Sequence, residues 1–378
     1  MHICHITSMH QWYDDRIYER ACRMLVRLGH RVTLIATAGN GIDAVTEMRV
    51  VALRERPHGL IRRVRSSWDA LREARKLEAD IYHFHDPDLL PWMRRLAGEG
   101  RAVVYDVHEN YEARFLMWGL PYRAACIAAK WFRNYERASA SHFEGVVAVS
   151  DSILSLFDGA CRDGCIVQNV PDTERFGVIG AGPDRQGPPL IYTSGTHSDA
   201  RNCLPTVEAM PWVLGKHPEA RFVFVGRYEP MGYEERLRTR ARQLGVDASL
   251  TVDGLIPWEE NFQRTARAHI GCVFYEDNPN NRLTIPNRLF EYMLCGVAVV
   301  AHDFPELANI VRKASCGRLV DSKNPRSIAD GVNSLLDRPE LLSVCGSNGR
   351  QAVLNHYNYR TQCEDMINMY ERILKRRA

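Results

Sequence analysis

Leu190-Ile191-Tyr192-Thr193-Ser194-Gly195-Thr196-His197-Ser198-Asp199-Ala200-Arg201-Asn202 decides how this chain folds. Leu190–Ser194 is apolar enough to read as a buried strand, and the residues after it form a polar, Gly-containing turn. A helix is then expected near Asp199–Leu214. Immediately upstream, Gly177, Gly180, Gly182, Pro183, Gly187, Pro188 and Pro189 give the composition of a linker. A strand–turn–helix that starts afresh after a linker marks the opening of a second domain.

Downstream the alternation continues. Strands are expected at Arg221–Gly226, Ser249–Asp253, Ile270–Tyr275 and Val297–Ala301. Helices are expected near Tyr233–Leu244, Trp258–Ala268 and Pro286–Cys295. Upstream, the first half shows the same grammar. Ile3–Thr7 reads as a strand, Ser8–Asp15 as a polar loop, and Ile17, Ala21, Met24, Leu25 and Leu28 recur at helical spacing. Gly29 follows as a helix stop, and Val32–Ala36, Ile81–His85, Ala102–Asp106 and Val146–Ser150 supply further strands. Strands alternating with helices predict α/β architecture with parallel, doubly wound sheets. Two such Rossmann-like domains place the carboxyl ends of their strands, where ligands bind, on a shared cleft.

The bulk properties agree with this. A chain of 378 residues, 45% hydrophobic and 25% charged, suits two ordinary globular cores. A net charge of +3 does not indicate nucleic acid. Eleven cysteines without paired CxxC spacing disfavour a disulfide or zinc framework and point to a reducing, cytoplasmic setting. Met1–Ile6 carries no basic leader, and no stretch reaches the roughly 18 apolar residues of a spanning helix.

The chemistry is expected in two places. Free amides after the first strand of the second domain, with Gly195, Thr196 and Arg201, suit a diphosphate; an ordinary βα loop with a solvated arginine fits the local signal as well. The second place is Asn281 through Gly296, where Pro286 reads as the first helical residue, with Thr284 or Ile285 near the cap. Asn287 and Glu291 share one face of the helix that follows, so the Glu291 carboxylate can accept two vicinal hydroxyls of a ribose. Neither half carries a GxGxxG after its first strand or a GxxxxGK[ST], which disfavours nicotinamide and P-loop enzymes.

These pieces, in order, resemble glycosyltransferase family 4, retaining enzymes of the GT-B fold. The matching segments are Asp15–Tyr18, Gly29–Val32, Asp80–Asp86, Val104–Glu109, Val149-Ser150 through Gln168–Pro171, Gly195–Asn202, Phe224–Gly226, Val252–Gly254 and Pro286–Gly296. The resemblance spans nearly the whole chain. It implies an acceptor-binding domain over residues 1–172 and a donor-binding domain over 173–359, with a helix about 360–378 packing back on the first. Glu291 resembles the second glutamate of the family's Glu-x7-Glu motif, which holds the nucleotide ribose. Arg201 falls where the family places a basic residue on the donor diphosphate, Leu255 and Ile256 line the base, and Gly195, Thr196, Thr284, Asn287 and Arg288 are further expected donor contacts. His108 resembles the histidine beside the donor sugar and the attacking hydroxyl, so catalytic roles fall to His108, Arg201 and Glu291. Arg16, His85 and Asp86 are expected on the acceptor side.

The implied donor is a UDP-, GDP- or dTDP-linked sugar, used without a metal or other cofactor. The acceptor is a glycan, glycolipid or small molecule. Two departures stand out. Leu283 occupies the position of the first motif glutamate, where Asn280, Asn281, Arg282 or amides near Thr284 are candidate replacements. Met9–Arg16 replaces the family's Gly-rich loop, which puts Arg16 forward for phosphate or an anionic acceptor. Leu283 also keeps open a GT-B sugar-nucleotide epimerase, and a non-catalytic partner of another transferase is a further alternative. His83 and His85 lie two apart on one strand face; cleft-lining polar residues are the favoured reading over zinc ligands with Asp86. Arg54, Arg56, Arg62, Arg63, Arg65, Arg72, Arg75 and Lys76, with the apolar Phe115–Tyr122 loop, suggest peripheral docking on an anionic membrane. A solvated face explains them equally.

Overall fold

Seven parallel strands form the first sheet: β1 (His2–Gln11), β2 (Arg31–Thr37), β3 (Arg49–Leu53), β4 (Ile81–Phe84), β5 (Val103–Val107), β6 (Gly145–Ala148) and β7 (Gly164–Ile166). Their order is β3-β2-β1-β4-β5-β6-β7. The structure, a computed structural model, describes residues 1–39, 47–55, 59–116, 119, 121–173, 185 and 187–378, with the side chains of 60–62 outside the description. Six parallel strands form the second sheet: β8 (Leu190–His197), β9 (Arg221–Tyr228), β10 (Leu250–Asp253), β11 (Ile270–Val273), β12 (Ala298–His302) and β13 (Gly317–Val320). Their order is β10-β9-β8-β11-β12-β13.

The chain divides accordingly into two units. Unit 1 comprises Met1–Asn169 and Tyr359–Ala378, and unit 2 comprises Val170–Asn358. The helix Tyr359–Arg377 therefore belongs with the first sheet. Each strand order reverses beside its first strand, between β1 and β4 in unit 1 and between β8 and β11 in unit 2. Such a switch point sends the flanking connections in opposite directions and opens a crevice at the strands' carboxyl ends.

The central strands are buried on both faces, which is why their sequences run nearly continuously apolar. In unit 1, Phe84 and Tyr105 stack at 4.7 Å between ring centroids, and Phe143 meets Phe84 edge-on at 5.1 Å. Each large ring buried this way contributes roughly 1.5–3 kcal/mol. In unit 2 the corresponding core gathers Phe222, Phe224, Cys272, Val300 and Val332.

Three differences from the expected elements have local causes. β1 does not end at Thr7 but continues to Gln11, which pairs with Thr37 after a register shift. The Asp86 carboxylate accepts from the Ser8 and Met9 amides at 2.7 and 3.1 Å, so this polar stretch is satisfied without becoming a loop. Asp15–Cys22 forms a wide, π-type turn of helix before the regular helix Arg23–Arg27; Asp14 caps it by accepting from the Arg16 and Ile17 amides, both at 3.0 Å. Pro286 is the cap residue rather than the first helical residue. Its ψ of 140° is extended, and the helix spans Asn287–Leu294.

Candidate functional site

In unit 2, the site begins with two glycines. Gly195 on β8 pairs with Gly226 on β9, and their φ values are 107° and 146°. A Cβ on Gly226 would lie 1.9 Å from the Gly195 carbonyl oxygen, so no side chain fits there. The backbone of β8 thus runs bare to its carboxyl end, where Ser198 leads into the short turn Asp199–Arg201 and the helix Cys203–Leu214. Asn202, itself at φ 48°, locks this turn by donating from Nδ2 to the Tyr275 carbonyl and to Ser322 Oγ, both at 2.9 Å.

Two arginines meet over Tyr275. The Arg201 guanidinium carbon lies 3.7 Å from the ring centroid and that of Arg288 lies 5.4 Å away. Arg288, buried on the first turn of the helix Asn287–Leu294, donates to the Ser194 and Phe274 carbonyls at 2.9 and 3.1 Å. Among the described residues neither arginine has a carboxylate within ion-pair distance. Burial, and then the neighbouring Arg288 charge, pull the Arg201 pKa down to about 10. Two neighbouring cations without an ion-pair partner among the described residues, at the carboxyl edge of β8 and β11, have the charge to receive a dianion. His197 and His302 stand nearby, held neutral with pKa values lowered to about 4, chiefly by burial.

The remaining donor candidates cluster around the same edge. Asn287 and Glu291 are half-buried on one helix face, Glu291 within a polar contact. Thr284 Oγ1 donates to the Asn280 carbonyl at 2.9 Å. Leu255 is exposed and Ile256 half-buried just beyond β10. Of the candidates for Leu283's missing carboxylate, Arg282 is already paired with Asp277 at 2.6 Å, and Asn281 donates to the Glu276 carbonyl.

In unit 1 a buried polar cluster sits at the carboxyl edge of β1, β4 and β5. His5 on β1 registers with His83 on β4, and the two rings stack at 4.6 Å. His85 Nε2 lies 2.9 Å from His5 Nδ1. Asp106 on β5 is the hub. Its Oδ1 accepts from Arg16 Nη2 at 2.9 Å, and its Oδ2 faces His85 Nδ1 at 3.1 Å and His108 Nε2 at 3.2 Å. Burial works to raise the Asp106 pKa, but Arg16 and then His108 outweigh it and hold the carboxyl well below the usual range. Burial lowers His5 and His83, and takes His85 down to about 3, so all three are neutral. Arg16 also donates to Asn169 Oδ1 at 2.6 Å and to the Val167 carbonyl at 3.1 Å.

His83 and His85 do share a strand face, but Asp86 does not join them. Adjacent residues alternate in direction, and Asp86 instead takes Thr7 Oγ1 at 2.7 Å and His10 Nε2 at 3.3 Å. Hydrogen bonds to Asp14 and then Asp86 raise His10 to about 10. Asp106, His5, Tyr275 and Asn202 were not singled out by the sequence reading. Asp106-x-His108 at strand spacing is the signal that places an acid and a histidine on one face.

Comparisons with known proteins follow this geometry. The profile for Glycosyltransferase Family 4 matches residues 16–166, and the profile for Glycosyl transferases group 1 matches residues 181–352. The chain belongs to the family 4 type of glycosyltransferase. It is 21% identical over 271 residues to a GDP-mannose:cellobiosyl-diphosphopolyprenol alpha-mannosyltransferase of Xanthomonas oryzae, a match taking in 71% of this chain and 66% of that protein. Sucrose-phosphate synthase from Thermosynechococcus elongatus superposes with a TM-score of 0.74 at 15% identity, covering 99% of both chains. HepE from Anabaena, solved with UDP, gives a TM-score of 0.74 at 15% identity over 98% of this chain and 100% of its own. At these identities the structural likenesses establish the GT-B fold.

Proposed function

We propose that this glycosyltransferase moves a hexosyl group from a nucleotide sugar to an acceptor hydroxyl, with retention at the anomeric carbon. The observation that carries the reading is the Arg201–Arg288 pair over Tyr275, without an ion-pair partner among the described residues, which suits a nucleoside diphosphate. The acceptor oxygen bonds to the anomeric carbon from the face the diphosphate leaves, and the hydroxyl proton passes to a departing phosphate oxygen. Charge grows on the diphosphate as the glycosidic bond breaks, so preorganised arginines lower the barrier and no protein nucleophile or metal bridge is needed. Glu291 holds the ribose, Gly195, Thr196 and Thr284 offer backbone and hydroxyl contacts, Leu255 and Ile256 flank the base, and His108 meets the acceptor hydroxyl.

The GDP-mannose of one similar protein and the UDP bound to another support a nucleotide-sugar donor and leave UDP, GDP and dTDP as the panel to test. The diphosphopolyprenol-linked substrate named for the Xanthomonas relative favours polysaccharide or glycolipid synthesis. It also favours work at the cytoplasmic membrane face. Among the described residues no helix is long and apolar enough to cross a membrane. The helix Tyr122–Ala140 nevertheless exposes Tyr122, Ile127 and Trp131 by 78%, 72% and 66%, beside Arg123 and Lys130. Of the arginine-rich segment, Arg63 pairs with Asp88, Arg75 with Glu99 and Lys76 with Glu73, while Arg56, the Arg62 side chain and Met117, Trp118 and Leu120 lie outside the described residues.

Thermal stabilisation by each nucleotide sugar selects the donor. Arg201→Ala should then cut kcat by about 10²–10³-fold with a smaller change in donor affinity. A retained kcat with only KM raised would remove Arg201 from the leaving-group role. One second reading has its own observation: Leu283, in place of a sugar-contacting carboxylate, suits an epimerase. Donor incubated without acceptor separates the two, because an epimerase alters the sugar while a transferase at most hydrolyses the donor slowly.

A further inference from the structure

Four histidines and one carboxylate in unit 1 share a single proton pattern. Asp106 is ionised and buried, so every nitrogen that faces it carries a hydrogen. That places the His85 proton on Nδ1 and the His108 proton on Nε2, donated to Oδ2 at 3.1 and 3.2 Å respectively; the charged oxygen wins both hydrogens over a bond between the two nitrogens, which lie 3.2 Å apart. With its hydrogen on Nδ1, His85 offers a lone pair at Nε2, and His5 fills it by donating from Nδ1 at 2.9 Å. His5 Nε2 is then a bare lone pair, and among the described residues it is one of the few buried side-chain polar atoms with no partner. The opposite pattern would leave an N–H stranded there, the rarer defect in folded proteins. His83 completes the set: with the Tyr370 hydroxyl donating to Nδ1 at 2.5 Å, its hydrogen lies on Nε2, 3.5 Å from Asp106 Oδ2 and without a partner, so this pattern strands one N–H where the opposite one strands two.

We propose that Asp106 is a positioning residue that fixes His108 with its proton on Nε2 and its lone pair on Nδ1, with His85 and His5 bracing it from behind. Nδ1 is thus the atom that accepts a hydrogen bond from the acceptor hydroxyl as it docks, before that proton turns to the departing phosphate oxygen, a statement that rests on the reading of His108 given above. Arg16 is part of the device. Its Nη2 donates to Oδ1 at 2.9 Å and more distantly to Oδ2 at 3.3 Å, which keeps Asp106 ionised and fixes the carboxylate against the rings. A metal ion at the same three atoms is disfavoured, although His85 Nδ1, His108 Nε2 and Asp106 Oδ2 lie mutually 3.1–3.2 Å apart. It would need lone pairs on both nitrogens and would sit beside the Arg16 cation on a carboxylate already neutralised.

Asp106→Asn tests this cleanly. The Arg16 guanidinium donates, so it selects the amide oxygen for the Oδ1 position and leaves the NH₂ group facing the rings. His85 and His108 must then present lone pairs, and the His108 proton moves to Nδ1. Two-bond ¹H–¹⁵N correlation spectra of ¹⁵N-histidine-labelled full-length protein report this directly, with His108 assigned through His108→Gln. The expected result is Nε2–H in the wild type and Nδ1–H in the Asn variant, with kcat falling on the order of 10²–10⁴-fold and donor KM nearly unchanged. A wild-type His108 protonated on Nδ1, or one equivalent of bound zinc in the purified protein, overturns the proposal. Should Asp106→Asn lose its fold by circular dichroism, the wild-type spectrum alone still decides. A switched tautomer with undiminished turnover upholds the role of Asp106 and instead removes His108 from the acceptor site.

Discussion

Arg16 and Arg201 follow the first strand of their respective sheets, at the carboxyl edge where each strand order reverses, and they have been put to opposite uses. Arg16 is buried against Asp106, Asn169 and the Val167 carbonyl, so its charge is matched inside the protein. Arg201 lies against an aromatic face and a second arginine, with no carboxylate partner among the described residues. A matched arginine contributes to the fold; an unmatched pair of arginines is held at some cost to the fold and awaits an anion. The same edge of two similar sheets thus carries a charge-matched polar cluster in one unit and, in the other, the arginine pair proposed to receive an anion.

The sharpest way to break this contrast is to delete each arginine and measure stability without ligand. Arg16→Ala leaves Asp106 buried and unpaired, and should destabilise by about 3–5 kcal/mol. Arg201→Ala relieves repulsion with Arg288 and should leave the ligand-free melting temperature unchanged or higher, while erasing the stabilisation that a nucleoside diphosphate confers. Equal losses from both variants in chemical denaturation would show that Arg201 is structural and the contrast false.

The sequence made the doubly wound architecture readable because the central strands are buried on both faces and announce themselves as apolar runs. The edge strands β3, β7 and β13 were not foreseen. Each pairs on one side only and is short, as with Gly164–Ile166, so tertiary neighbours rather than local pattern fix it. The site was legible unevenly for the same reason. Arg201, Asn287 and Glu291 lie on contiguous segments whose turn and helix signals are local. The partner of His85 was not, because register between β4 and β5 brings Asp106 from 21 residues away. The adjacent Asp86 looks nearer in sequence, but strand alternation turns it toward Thr7 and His10.

A smaller effect sharpens the donor side. Glu291→Gln keeps the shape of the helix Asn287–Leu294 but removes the charge that a ribose diol would bind. Affinity for the preferred nucleoside diphosphate should fall by roughly 2–3 kcal/mol. Calorimetry that finds unchanged affinity would move the ribose to another residue.

The smallest expected effect concerns the outer surface of unit 1. Arg123, Ile127, Lys130 and Trp131 recur at helical spacing on the helix Tyr122–Ala140, so apolar and basic groups share one exposed face. Among the described residues, unit 2 has no counterpart in which several large apolar side chains on one helix are this exposed. Basic residues at an anionic surface contribute about 1 kcal/mol each, and salt erodes that share while leaving the apolar insertion in place. Arg123→Glu with Lys130→Glu should therefore weaken sedimentation with phosphatidylserine-containing vesicles mainly at low salt. Trp131→Ser should weaken it at every ionic strength. Both variants should keep donor hydrolysis, since the groups proposed to hold the nucleotide belong to unit 2. Wild-type protein that stays in the supernatant with anionic vesicles at low salt would leave this helix a solvated face and point to a soluble acceptor.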